Sequence, residues 1–248
     1  DRASVDGRRG IHSQMKALVY DDVEKLVYRY MADPVPAAGQ SLIRIEASGI
    51  CGADMHAYLG HDERRPAPVI LGHEAAGTVH GGALDGIRVT INPLTTCGLC
   101  KACKSGRDNL CPDRMIISLP PREGAFGELV VMAARSRVEV PDDVPLAKAA
   151  LAEPLACGWH AVRLGAEALD MPIADARCGV VGGGAIGVGA ALCLRAFGAT
   201  DIQVIEPNAV RRATLDNIDG FPAVEPGAIT EADFVIDGVG YAATRADA

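Results

Sequence analysis

The chain has 248 residues, 49% of them hydrophobic and 23% charged, with a formal charge of −8 at neutral pH. That length allows one large domain or two modest ones with packed cores. The acidic balance argues against a nucleic-acid or anionic-membrane partner, and no apolar run approaches the roughly 20 residues of a membrane span.

Residues 1–14 (DRASVDGRRGIHSQ) carry no apolar pattern and are read as a tag remnant or disordered tail. No secretory signal is visible, so a reducing cytoplasm is the expected compartment. From Met15 the chain is β-rich. Lys16–Tyr20, Lys25–Met31 and Ser41–Ala47 read as strands separated by Asp33-Pro34 and Ala38-Gly39 turns. Gly77–His80, Arg88–Asn92, Phe126–Met132 and Arg137–Val140 read as further strands. Short strands at this spacing predict a small sandwich or barrel.

Between them lies NPLTTCGLCKACKSGRDNLCP, in which Cys97, Cys100, Cys103 and Cys111 form a C-x2-C-x2-C-x7-C run. Four thiolates this close, with Gly98 and Gly106 to turn the backbone, suit one tetrahedral structural zinc. Neighbours in C-x2-C are badly placed for a disulfide. An iron–sulfur cluster is the sharper rival, but the ferredoxin run has three residues before its last cysteine where this one has seven. A closed four-sulfur site does no chemistry, so the activity must lie elsewhere.

The second half changes character. Leu146–Leu169 reads as helix, which Pro154 must break or kink. Cys178–Val181 reads as an apolar strand running into Gly182-Gly183-Gly184-Ala185-Ile186-Gly187. A helix (Val188–Phe197), a strand (Asp201–Ile205), a helix (Asn208–Leu215) and a strand (Asp233–Asp237) follow. A β-α-β-α-β order after a β-rich first part places the domain boundary near residue 165, giving domains of 15–165 and 166–248.

Gly182, Gly184 and Gly187 stand between a predicted strand and a predicted helix, the context that a dinucleotide-binding G-x-G-x-x-G requires. Gly182 permits the tight turn, Gly184 lets the backbone approach a pyrophosphate, and Gly187 lets the helix pack on the strand. Glu206 ends the next strand, where a carboxylate accepts hydrogen bonds from a ribose 2′-hydroxyl and repels a 2′-phosphate. NAD is therefore expected over NADP, although Arg211 or Arg212 nearby is able to bind a phosphate. Four further groups suit zinc, namely Cys51, His73, Glu74 and Glu153, but their spacing alone is a weak signal.

GICGADMH, LGHEAAGTV, the cysteine loop ending GRDNLCP, GAFGELV, AEPLACGWHA and VVGGGAIG together resemble the zinc-dependent medium-chain dehydrogenases, specifically the polyol (sorbitol-type) and threonine dehydrogenase branch. The resemblance implies an α/β chain with a GroES-like β-barrel catalytic domain followed by a Rossmann doubly wound domain. It implies a catalytic zinc surrounded by Cys51, His73 and Glu74, with Glu153 as direct or alternating ligand, beside the structural zinc of the four cysteines. It makes Gly182, Gly184, Ala185, Ile186 and Gly187 the pyrophosphate turn, Glu206 the ribose anchor, and Arg211 a neighbour of the adenine. The implied reaction passes a hydride from a secondary alcohol, a polyol or sugar alcohol, to NAD, with zinc as Lewis acid and His56 as a candidate proton relay. L-threonine 3-dehydrogenase is the alternative within the class, and a non-catalytic zinc- and nucleotide-binding protein the alternative outside it. A homodimer or homotetramer is the implied assembly.

Two departures from the family pattern stand out. Ala53 occupies the place, two residues after Cys51, where relatives carry Ser or Thr. From Cys178 to Ala248 there is also room only for the first half of a doubly wound fold. The Rossmann domain is accordingly read as partial and the sequence as that of a truncated or incompletely recorded protein. Cys157, Cys178 and Cys193 are expected to be buried small hydrophobes.

Overall fold

The computed structural model describes residues 13–217, 221–229 and 231–247. Residues 1–12 of the expected tail lie outside them. The chain divides into two compact units, the first ending at Glu153 and the second beginning at Pro154.

Among the described residues the first unit is built on two antiparallel sheets. Strand β1 (Gln14–Asp22) forms a hairpin with β2 (Lys25–Ala32). Strand β3 (Gln40–Gly49) is followed by helix α1 (Gly52–Tyr58), and then by β4 (Val69–Ile70), which pairs with the other edge of β1. Met15, Ala17 and Val19 alternate inward along β1 and are buried, the period-2 pattern of a half-buried strand. The second sheet contains β3, β5 (Glu74–Val79), β6 (Arg88–Ile91), and two strands introduced below, β9 and β10. Its core joins Ile43, Val79, Val89, Ile91, Val130 and Met132. A bridge between Ala17 and Gly127 links the sheets, which curl into a partial barrel.

Strand β7 (Leu94–Thr95) pairs with β8 (Met115–Ile116), Leu94 opposite Ile116. This short ladder fastens the base of the cysteine loop, whose only α-turn is α2 (Lys101–Lys104). Strands β9 (Leu129–Ala133) and β10 (Arg137–Glu139) then close the two edges of the second sheet, in the order β10-β6-β5-β3-β9. The β3–β5 register shifts between Ile45 and Ala47, so that Gly49 at the end of β3 faces Glu74 at the start of β5.

The predicted long helix is two: α3 (Leu146–Ala149) and α4 (Ala152–Ala168). The break falls before Pro154 rather than at it. Pro154 occupies the first turn of α4, where its missing N–H has no partner to lose.

The second unit holds β11 (Arg177–Val181), α5 (Ala185–Ala196), β12 (Asp201–Ile205), α6 (Ala209–Asp216), β13 (Ala223–Val224), β14 (Phe234–Asp237) and α7 (Ala242–Asp247). Its parallel sheet has the order β13-β12-β11-β14. That is the third-second-first-fourth order of a Rossmann sheet. Strand β13, two residues between prolines, escapes the pattern search, so Asp233–Asp237 is the fourth strand and lies on the far side of β11. Val180, Ala190, Leu194, Val204 and Phe221 form the core.

Candidate functional site

Three side chains converge where β3 ends, α1 begins and β5 begins. Ligand atoms of Cys51, His73 and Glu74 all lie within 4.8 Å of one another. Cys51 is the N-cap of α1, in extended conformation. Its N–H donates to Asp54 Oδ2 at 3.0 Å, while Gly72 N–H donates to Asp54 Oδ1 at 3.1 Å. The same Oδ1 stands 3.6 Å from His73 Nδ1, an ion-pair distance longer than a hydrogen bond. His73 Nδ1 is buried and has no hydrogen-bond partner. A Cβ at position 49 would run into the Glu74 carboxylate, so glycine makes the room in which that carboxylate sits.

Burial alone pushes the His73 pKa down, but the Asp54 carboxylate and the Cys51 sulfur outweigh it and hold the ring at about 10. Asp54 shows the counterpart. Burial raises its pKa, and His73 with the N–H groups of Cys51 and Gly72 brings it below the usual carboxylate value. A half-buried thiol beside a buried imidazole and a buried carboxylate is a donor set that zinc takes with an open fourth position. Asp54, whose Oδ1 faces His73 Nδ1, is placed where an outer carboxylate that orients such an imidazole would stand. Asp54 is not among the candidates legible in the sequence; its place three residues after Cys51, at a helix start, is the signal that marks it.

Glu153 lies in the first turn of α4 and outside that three-residue group. Its pKa is raised, first by burial, against the pull of His73 and with the push of Glu74 and Asp54. It therefore shares the electrostatic field of the cluster without standing at ligand distance from all three. His56 is not brought in: it is exposed, in the last turn of α1.

The four loop cysteines form the second group, again with all sulfurs within 4.8 Å. Three sulfur pairs lie at 3.5, 3.6 and 3.9 Å. Sulfurs about 2.3 Å from a tetrahedral zinc lie about 3.8 Å from one another, close to these three separations. None of the four is in a disulfide. The N–H groups of Leu99 and Cys100 aim at Cys97 Sγ, at 3.4 and 3.3 Å. These donors lead in drawing the Cys97 thiol down to about 6, toward the thiolate that a metal requires.

The glycine turn belongs to the second unit. Gly182 has φ +95° and donates to Ile205 O at 2.8 Å, tying the turn to β12. A Cβ on Gly187 would collide with the Gly182 carbonyl, whereas one on Gly184, the N-cap of α5, would meet nothing within 4 Å. Gly187 is thus needed for packing, and Gly184 faces open space at a helix N-terminus, as a backbone that approaches a pyrophosphate must. Ala185 and Ile186 start α5 behind it. Glu206 is 2% exposed. Its two oxygens accept from Gly183 N–H and Asn208 N–H, each at 2.8 Å, and Arg211 stands 3.7 Å away. Burial raises its pKa, but those N–H groups and Arg211 bring it below the usual value. Arg212 is engaged elsewhere, with Glu206 O, Pro207 O and the Glu225 carboxylate.

Residues 37–142 match the alcohol dehydrogenase GroES-like domain. The chain is 34% identical to a sorbitol dehydrogenase of Bacillus subtilis (strain 168) over 210 residues, which are 81% of this chain and 58% of that protein. It is 34% identical to an L-threonine 3-dehydrogenase of Mesorhizobium japonicum over 212 residues, 81% of this chain and 59% of that one. A crystal structure of a zinc-binding dehydrogenase from Sinorhizobium meliloti 1021, bound to NADP, superposes with a TM-score of 0.83 at 30% identity, covering 94% of this chain and 72% of that one. The chain spans less than two thirds of the length of both curated relatives.

Proposed function

Because this chain belongs to the zinc-dependent medium-chain alcohol dehydrogenase family, we propose that it serves the transfer of a hydride from a secondary alcohol, a polyol or sugar alcohol, to NAD. The observation that carries the reading is the buried convergence of Cys51, His73 and Glu74 around Asp54, apart from the cysteine loop. The donor set fits a catalytic zinc, which when bound lends Lewis acidity to an alcohol oxygen. Glu153, with its raised pKa, is the nearby carboxyl able to exchange with a ligand or with water. The loop cysteines fit a structural zinc that shapes the first unit.

The chain's own residues do the rest. Asp54 orients His73. The buried setting of His73 and Glu74 keeps bulk water from that side of the alcohol. His56, exposed at the end of α1, hands the alcohol's proton to solvent through an imidazole nitrogen. With Ala53 in place, that path runs through water or a cofactor hydroxyl rather than a side-chain hydroxyl at 53. Gly182, Gly184, Ala185, Ile186 and Gly187 present the α5 N-terminus to the pyrophosphate. Glu206, an ionised carboxylate beside that turn, disfavours a 2′-phosphate and so selects NAD. The domains are proposed as 15–165 and 166–248, and the assembly as a homodimer or homotetramer in the cytoplasm.

A second reading, oxidation of L-threonine, has equal support in sequence identity. The test is NAD reduction by the zinc-replete protein over a panel of polyols and L-threonine, with NAD binding measured alongside by calorimetry. Turnover of polyols is the expected result. Turnover of L-threonine alone selects the second reading. Failure both to bind NAD and to reduce it contradicts the proposal.

A further inference from the structure

The C-terminal end of α1 is closed by two nested backbone bonds. Gly60 N–H donates to Ala57 O at 2.9 Å, and His61 N–H donates to His56 O at 2.8 Å. Gly60 has φ +73°, the left-handed conformation that this kind of helix end requires. The turn is held from outside as well. Glu24 N–H donates to Tyr58 O at 2.7 Å, and a Cβ at position 60 would press on the Val23 side chain at 2.9 Å.

Such a helix end places the residue four before the glycine beside the residue after it, a pairing ordinarily filled by an apolar contact. Here the pair is His56 and His61. Their ring centroids are 6.3 Å apart, with planes inclined by 46°. Both are exposed, and among the described residues neither ring makes a side-chain hydrogen bond or an ion pair. The adjacent Asp62 carboxylate is committed to Arg64 and Arg65.

Imidazole nitrogens about 2.0–2.1 Å from a tetrahedral ion put the two ring centroids about 5 Å apart. The pair therefore needs to close by roughly 1 Å, a side-chain adjustment with the backbone already set. Imidazole suits zinc, copper and nickel.

We propose that His56 and His61 form a two-imidazole site for a late first-row divalent cation, separate from the groups containing cysteine, with water completing the coordination. The backbone turn makes the second ring's attachment intramolecular, which raises affinity over that of a lone surface histidine. Occupancy also ties up the His56 nitrogen, so the cation would slow proton release. That consequence, unlike the site itself, rests on the relay role proposed above.

The test loads the zinc-replete protein with nickel chloride, follows uptake by titration calorimetry, and counts nickel and zinc after gel filtration. The expected result is a single nickel per chain gained, with the zinc of the Cys51 group and that of the cysteine loop both kept. His61→Gln and His56→Gln should each weaken nickel binding by about tenfold or more, while His80→Gln leaves it unchanged. Both target side chains are exposed, and circular dichroism checks that the variants fold. Nickel binding unchanged in His61→Gln, or nickel gained only as zinc leaves the Cys51 group or the cysteine loop, would overturn the proposal.

Discussion

Asp54 Oδ1 lies 3.6 Å from His73 Nδ1, with both residues buried, and the other Asp54 oxygen holds the N–H of Cys51. One carboxylate in the first turn of α1 thus stands beside the ring of one candidate ligand and holds the backbone of another.

Removing that charge while keeping the shape tests the relationship. Asp54→Asn should lower zinc affinity at the Cys51 group by about 10–100-fold, the usual effect of losing an orienting partner. Competition against a chromophoric chelator reads it, and an unchanged affinity would contradict the role.

The pH dependence follows from His73. In the metal-free chain its pKa is about 10, above the ordinary value of 6.5. A raised folded-state pKa contributes stability that is full below about 6.5 and lost as pH rises through about 10. A metal needs the neutral ring, so proton and metal compete. Zinc affinity should therefore climb with pH across that window, and uptake at neutral pH should release the His73 proton. Calorimetry in buffers of different ionisation enthalpy measures the release, and identical heats in all buffers would contradict it.

Much of this arrangement is legible in the sequence, and the reasons differ by element. The cysteine run declares itself because its ligands are close in sequence and the backbone between them has glycines where it must turn. The glycine turn is legible because strand, glycines and helix are contiguous. The Cys51 group is not legible from spacing, since its members meet only through the β3–β5 register and the start of α1. Family resemblance gathered those residues, and the fold gives the physical reason they meet. Asp54 went unseen because an acidic residue near a helix start reads as a cap. The helix break expected at Pro154 falls just before it, and strand β13 was missed, because short elements are set by packing more than by local pattern.

The last two glycines of the motif, Gly184 and Gly187, should respond differently. Gly187→Ala drives a methyl into the Gly182 carbonyl and should destabilise the fold by about 1–3 kcal/mol, the range for overpacking. Gly184→Ala meets open space and should leave melting nearly unchanged. It should nonetheless weaken NAD binding by about tenfold, since a methyl would stand where the backbone approaches the pyrophosphate. Thermal melts and NAD titrations separate the two, and full NAD affinity in Gly184→Ala would contradict the assignment of that glycine.

Cys100→Ser should unfasten the cysteine loop without disturbing the parallel sheet. Limited proteolysis should then cut between 97 and 111 while residues 154 onward stay protected. Wild-type resistance of the loop in this variant would mean that the β7–β8 ladder alone holds it.

A zinc at Cys51, His73 and Glu74, besides the one in the cysteine loop, is countable. Elemental analysis of zinc and iron in metal-replete wild type and Cys51→Ser counts it. A zinc for each of these two groups and no iron is expected in the wild type, with Cys51→Ser losing one zinc and keeping that of the loop. A single zinc indifferent to Cys51→Ser, or iron in place of zinc, would contradict it.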